Sequence, residues 1–319
     1  INYSIIIPHY NIPDLLMRCL RSIPVREDVQ VIVVDDCSPD ADTYIERFPE
    51  LSRPYLEFYS TDRGGSAGRA RNVGLKHAKG KWLIFADADD FFTEQFAIIL
   101  DRYKDAKYDI LFFNCRFVNS DDVFTEVHRG DDYFIKRLFQ GEDQEIYARC
   151  DCPVPWGKLV KRSLVEGTGA RFSVTRWSND ILFSTTVGCS AEIICIIDEV
   201  MYVATSRVNS LTSEFCFSKN ELIQRTVESL KAQSVINRHN LKLRGSVCLP
   251  YLLKCYYRDL DLFWTVLDHC DRYNITKVWI IMQMSKIVGF RSFWSTFVKC
   301  SFKYQRDRCF VNYLNQDVF

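Results

Sequence analysis

The sequence has no run of about 18 uncharged apolar residues, so no segment reads as a membrane-spanning helix. Net charge is missing too. Lys+Arg and Asp+Glu stand at 41 each, which excludes a chain drawn to nucleic acid by its overall field and leaves only local charge to consider. Thirteen cysteines occur, yet none falls in the repeated Cys-x-x-Cys pattern of a zinc site. Cys150-x-Cys152 is the closest pair and too short for a metal knuckle. Their odd number, and their places inside apolar runs, point to reduced thiols serving as small hydrophobes in a cytosolic protein. Internal repeats and low-complexity stretches are absent, and the first residues read as a strand rather than a signal peptide. What is present, 47% apolar and 26% charged residues, is ordinary for a globular chain. Its 319 residues suffice for about two domains.

The first ~120 residues alternate strand and helix patterns, as a mostly parallel sheet requires. Strands are expected at Tyr3–Pro8, Val29–Val34, Tyr55–Ser60, Lys81–Ala86 and Tyr108–Phe117. Their Ile, Val and Phe run on without alternation, the composition of strands covered on both faces. Helices are expected at Leu15–Ser22, Thr43–Phe48 and from about Ser66 to Ala78. Residues 118–217 are less regular, and from Ser218 onward the pattern is mainly helical, with Ser218 offering a cap. The expected organisation is a domain over 1–217, divided near 117, followed by a helical region over 218–319.

Chemistry should collect at the carboxyl ends of parallel strands. The first strand ends in Pro8-His9-Tyr10-Asn11, the second in Asp35-Asp36, and the fourth in Asp87-Ala88-Asp89-Asp90. Three carboxylates at the edge of a core are costly unless something cationic neutralises them, and an oxygen-liganded divalent metal carrying a phosphate group is the leading candidate. Alternate positions share a face, so Asp87 and Asp89 can converge on one cation. Asp36 can accept from a base or ribose, Tyr10 can pack on the base, and Arg71 can reach a pyrophosphate. Each piece also has a plain reading. Asp-x-Asp occurs in solvated turns, and Asp35-Asp36 can cap a turn. His9 can be a packed polar residue, and Gly64–Gly68 matches neither a dinucleotide fingerprint nor a P-loop. The combination, in this order and at strand ends, is what carries weight.

That combination resembles the family 2 glycosyltransferases of the GT-A fold. The resemblance rests on Ser4-Ile-Ile-Ile-Pro-His-Tyr-Asn11, Val33-Val-Asp-Asp-Cys-Ser-Pro-Asp40, Ala70-Arg-Asn-Val-Gly-Leu75 and Gly80-Lys-Trp-Leu-Ile-Phe-Ala-Asp-Ala-Asp-Asp90. It is dense over 1–92 and looser to about 215. It implies an inverting enzyme using a UDP-sugar and a divalent metal, Mn2+ or Mg2+. Pro8, Tyr10, Asn11, Asp36, Arg71, Asp87 and Ala88 would line the nucleotide-sugar site, and Asp89, Asp87 and Asp90 would hold metal. Trp156 and Lys158 would belong to the acceptor region. In Trp177-Ser-Asn-Asp-Ile-Leu-Phe183, Asp180 falls at the position of the catalytic base. The family commonly has Glu-Asp where this chain has Asn179-Asp180, and Cys37 replaces a frequent glycine. A Gln-x-x-Arg-Trp motif of processive synthases is missing, so one sugar per encounter is expected.

The expected activity is hexosyl transfer to a glycan or lipid-linked saccharide in cell-surface polysaccharide or lipopolysaccharide synthesis, in the cytoplasm or on the inner membrane face. Alternatives are a nucleotidylyltransferase, which would want a lysine-bearing glycine loop after the first strand, and an inactive sugar-nucleotide or glycan-binding module. Residues 271–309 hold eight basic and two acidic residues interleaved with aromatics. This composition suits an anionic membrane surface, a helical cap or a homodimer interface, and lacks a nucleic-acid recognition motif.

Overall fold

The apolar runs become the middle of one sheet. In a computed structural model, which describes residues 1–39, 48–127, 132–140, 142–207, 217–241 and 246–289, eight strands lie in the order β3-β2-β1-β4-β7-β6-β8-β5. They are β1 (Tyr3–His9), β2 (Val29–Asp35), β3 (Leu56–Ser60), β4 (Trp82–Phe85), β5 (Phe91–Phe92), β6 (Ile110–Asn119), β7 (Lys158–Lys161) and β8 (Ile194–Ser206). Every residue of β1, β2 and β4 is buried, as their unbroken Ile, Val and Phe content requires. The pairs β1–β2, β1–β4 and β2–β3 are parallel. β7 runs antiparallel between β4 and β6. β6 and β8 are parallel, and β5 closes the far edge antiparallel to β8.

This order decides where chemistry can gather. β1 has β2 on one side and β4 on the other, so successive connections leave it in opposite directions and open a crevice at its carboxyl end. Two antiparallel steps through β7 return β6, and with it β8, to the direction of β4. The carboxyl ends of β1, β2, β4, β6 and β8 therefore share one edge of the sheet. Helix α1 (Pro13–Arg21) follows β1, with Pro13 in its first turn where a missing N–H costs nothing. Helix α2 (Ala67–His77) follows β3, capped by the Ser66 hydroxyl, which accepts from Arg69 N–H. Gly74 lets α2 lie directly on β1, since a Cβ there would stand 2.4 Å from the Ile6 side chain. Farther on come α3 (Phe96–Tyr103), α4 (Asp132–Gln140), α5 (Gln144–Cys150), α6 (Arg162–Thr168) and α7 (Ile181–Ser190).

The chain divides into two compact units, Ile1–Cys216 with Arg238–Leu243, and Phe217–Asn237 with Arg244–Phe319. The second is built from α8 (Lys219–Arg238), α9 (Leu249–Arg258), α10 (Leu260–Leu267) and α11 (Lys277–Val288). Its core includes Leu230, Leu252, Phe263, Val266, Ile280 and Met284. Ser218 caps α8 by accepting from Glu221 N–H. Among the described residues no helix is long and apolar enough to cross a membrane, and the ten described cysteines are free thiols. The helix expected over Thr43–Phe48 and the aromatic stretch beyond residue 289 lie outside the described residues, Phe48 excepted.

Candidate active site

At the end of β2, two adjacent acids are held by donors from nearby loops. Asp35 is fully buried. It accepts from His9 Nδ1 at 2.8 Å, from Ser38 N–H at 2.7 Å and from the Ser38 hydroxyl at 2.6 Å. Ile12 N–H donates to His9 Nε2 at 3.2 Å, which places the ring proton on Nδ1, facing Asp35. Burial raises the Asp35 pKa, but the His9 and Ser38 hydrogen bonds outweigh it and hold the carboxyl below its ordinary value. Asp36 accepts from the Thr61 hydroxyl at 3.0 Å, Gly65 N–H at 2.7 Å and Ser66 N–H at 2.8 Å. The glycine-rich turn is therefore fastened to Asp36, with these two amides already committed. Gly64 permits the approach, because a Cβ there would lie 2.7 Å from the Asp36 carbonyl. Tyr10 is exposed beside this corner, and Asn11, in a left-handed conformation, donates its N–H to Ser38.

At the end of β4 the acids are held differently. Asp87 Oδ1 lies 2.6 Å from Arg71, and Asp89 Oδ2 lies 3.1 Å from Nε of Arg207, just beyond β8. Arg18 of α1 donates to the Asp89 carbonyl at 2.6 Å and to the Ser120 carbonyl at 2.7 Å. Two carboxylates thus meet two guanidinium groups, brought from α2 and the end of β8, while a third from α1 binds backbone carbonyls. Asp87 and Asp89 therefore each have a counter-charge supplied by the protein itself. Asp87 and Asp89 keep 33% and 22% of their side chains exposed, so both can reach a ligand.

Asp90 points the other way. It is buried, accepting from the Tyr202 hydroxyl at 2.8 Å and from Thr205 N–H at 2.6 Å. Tyr202 in turn accepts from Asp87 N–H at 2.8 Å. Asp90, expected as a third metal ligand, instead ties the turn to β8 through both of its carboxylate oxygens. Ala88 is buried between the two outward-facing aspartates. Two carboxylates that face outward are oxygen donors of the kind Mn2+ and Mg2+ take, with phosphate oxygens and water completing the shell, so Asp87 and Asp89 fit the expected metal. Among the described residues, no group of three or more metal-ligating side chains accompanies them.

Helix α2 connects this corner to the downstream half. Asn72 and Phe172 exchange two hydrogen bonds, at 2.8 and 2.9 Å. The Ser66 hydroxyl donates to the Thr175 carbonyl. Gly68 allows the close fit, since a Cβ there would come within 2.2 Å of the Ser173 carbonyl. Arg71, only 5% exposed and lying against the Phe172 ring, donates to Asn179 Oδ1 at 2.8 Å as well as to Asp87. Asp180 follows directly. It stands at the N-cap of α7, yet its side chain makes no capping hydrogen bond to that helix.

Trp156 and Lys158, expected in the acceptor region, are both buried. Trp156 stacks on Tyr202 with ring centres 5.4 Å apart. Lys158 donates to the Cys152 carbonyl at 2.8 Å and has a pKa lowered chiefly by burial. Arg18, Asn72, Tyr202 and Arg207 escaped the sequence reading. Asn72 lay inside a quoted motif, but nothing local marks the other three.

Similarity to known proteins agrees with this geometry. Residues 4–169 match the model of a family described as glycosyl transferase family 2. The chain belongs to that family. The family 2 chain is 27% identical over 223 residues to glycosyltransferase GlyA of Streptococcus pneumoniae, covering 66% of this chain and 31% of that protein. It is 33% identical over 98 residues to TarS of Staphylococcus aureus, a poly(ribitol-phosphate) beta-N-acetylglucosaminyltransferase, covering 29% and 17%. The TarS 1–349 structure in complex with UDP-GlcNAc has the same fold, with a TM-score of 0.62 and 21% identity over 86% of this chain and 81% of that one. A mannosyltransferase from Pyrobaculum calidifontis, solved with GDP-Man and Mn2+, aligns with a TM-score of 0.50 and 18% identity over 96% and 87%. These solved structures bear out the GT-A fold. The chain spans less than two thirds of the length of the curated relatives it matches first.

Proposed function

We propose that this family 2 glycosyltransferase moves one hexose, with inversion, from a UDP-sugar to a glycan or lipid-linked saccharide acceptor in cell-surface polysaccharide assembly. The observation that carries the reading is the Arg71 bridge. One buried guanidinium holds both Asp87, on the side suited to a diphosphate, and Asn179, the neighbour of Asp180. A donor-binding carboxylate and a candidate base are thereby referenced to the same group. The likeness to TarS, solved with UDP-GlcNAc, supports a uridine donor. Family membership also favours sugar transfer over nucleotidyl transfer.

Sugar transfer passes through an oxocarbenium-like state while the leaving diphosphate gains charge. Arg71 and Arg207 supply positive charge where that negative charge develops. A divalent cation, Mn2+ or Mg2+, held by Asp87 and Asp89 would add Lewis-acid stabilisation. Asp180 takes the proton of the acceptor hydroxyl as it attacks from the opposite face. Tyr10 is exposed for stacking on the base. Asp36 fixes the glycine turn beside it and has one acceptor site left on Oδ1. The work falls to the first unit. The basic stretch that begins near residue 271, in which α11 exposes Val278, Met282 and Ile287, is assigned to an anionic membrane surface or a second copy of the chain.

Asp180→Asn is the test. The variant should bind UDP-sugar as the parent does and lose transfer by roughly a hundredfold or more, read as UDP release with acceptor present. Undiminished turnover would remove Asp180 from the role of base. A parent protein that binds UDP-sugar but neither hydrolyses nor transfers it would show a binding module instead.

A further inference from the structure

Asp87 and Asp89 each hold a guanidinium, but the two arginines are fixed to different degrees. Arg71 is almost wholly buried, clamped between Asp87 and Asn179 and against Phe172. Arg207 keeps 32% of its side chain exposed, and its Nε occupies Oδ2 of Asp89 at 3.1 Å. The first is part of the framework. The second can exchange partners at little cost, because a partly solvated ion pair is weak.

We propose that Arg207 is an exchangeable counter-ion of Asp89 that makes divalent-metal binding conditional on a nucleoside diphosphate. The inference rests on the nucleotide-sugar reading above. A metal ion and a guanidinium compete for the Asp89 carboxylate and repel each other. A metal arriving alone must displace Arg207 and strand its charge beside a second cation. A diphosphate arriving with the metal offers the guanidinium a new partner, since phosphate oxygens suit its forked N–H donors. Arg207 then moves from carboxylate to phosphate, and the site exchanges one balanced set of charges for another. The two ligands therefore assist each other, and by linkage the assistance is reciprocal. Release of the diphosphate after transfer returns Arg207 to Asp89 and weakens the hold on the metal.

Titration calorimetry on the full chain tests this, with Mn2+ alone, UDP alone and both together. Arg207→Ala should bind Mn2+ alone about tenfold more tightly than the parent. It should bind UDP with Mn2+ several-fold more weakly, so that the coupling between them shrinks. Arg207→Lys keeps the charge and should leave binding of Mn2+ alone near that of the parent. Arg207→Gln replaces the alanine variant if circular-dichroism melting shows that Arg207→Ala is unfolded. Unchanged or weaker binding of Mn2+ alone in the neutral variants, with UDP and Mn2+ still binding the parent, overturns the role of Arg207 and leaves the donor reading intact. A parent that binds no UDP under any condition overturns both.

Discussion

The two acidic strand ends look alike as sequence, an apolar run closing on aspartates, and they differ in how their first acids are held, Asp90 alone at β4 being buried as Asp35 and Asp36 are. At β2, Asp35 and Asp36 are buried and satisfied by imidazole, hydroxyl and backbone N–H donors from adjoining loops. At β4, Asp87 and Asp89 stay partly exposed and are held by arginines distant in sequence, from α2 and beyond β8. Neutral donors packed around a buried carboxylate make a rigid corner, and removing one leaves a buried group unpaired. Guanidinium groups at a half-open carboxylate make a site whose partners can be exchanged. The same residue type thus supplies a rigid framework in one place and partly exposed carboxylates in the other.

Substitution can break that contrast. Asp89→Asn should reduce transfer by roughly a hundredfold or more and move unfolding stability by no more than about 1 kcal/mol, measured by turnover and denaturant unfolding on the same preparation. A large stability loss would mean that Asp89 is framework like Asp35.

Asp35→Asn should do the reverse in kind, lowering unfolding stability by about 3 kcal/mol. Whichever way the amide turns, its N–H2 would face a donor, the His9 Nδ1 proton or the Ser38 N–H, and turning the His9 tautomer would leave Ile12 N–H without its acceptor. The acid limb of stability sharpens the point. Against the upward push of burial, the His9 and Ser38 hydrogen bonds hold the folded-state pKa of Asp35 below its ordinary value, so its stabilisation is present above that value and is lost as pH falls through the folded one. The asparagine variant should therefore show a shallower loss of stability below about pH 4, followed by circular dichroism.

The smallest effect is expected at the bridge between the two halves. Asn179→Asp would give Arg71 a second carboxylate, and should weaken UDP-sugar binding by about two- to fivefold by drawing the guanidinium's charge away from the diphosphate. Equal or tighter donor binding would show that Arg71 acts only as framework.

Much of the first half was legible because its signals are local. β1, β2 and β4 announce themselves as unbroken Ile, Val and Phe runs, and the acids at the ends of β2 and β4 fall on one edge of the sheet, as expected. The observed β1 and β4 boundaries, Tyr3–His9 and Trp82–Phe85, differ from the expected ones by a residue at an end. The short β7 (Lys158–Lys161) was missed, since four residues carry little periodicity and its strand character comes from β4 and β6 on either side. Trp156 and Lys158, expected in the acceptor region, gave no sign in sequence of how deeply they are buried. In the fold, one stacks on Tyr202 and the other caps the Cys152 carbonyl.

By itself, the sequence determined the α/β class, the strand ends and the carboxylates that stand there, because burial pattern and residue type are properties of short segments. Tertiary structure alone decided how those carboxylates divide their roles. Asp90 turns inward to Tyr202 and Thr205, Asp36 fastens the glycine turn, and Asp87 and Asp89 face outward beside arginines 16 and 118 positions away. The physical reason is that a charge is assigned by what lies within a few ångströms of it in space, and chain order does not record that distance.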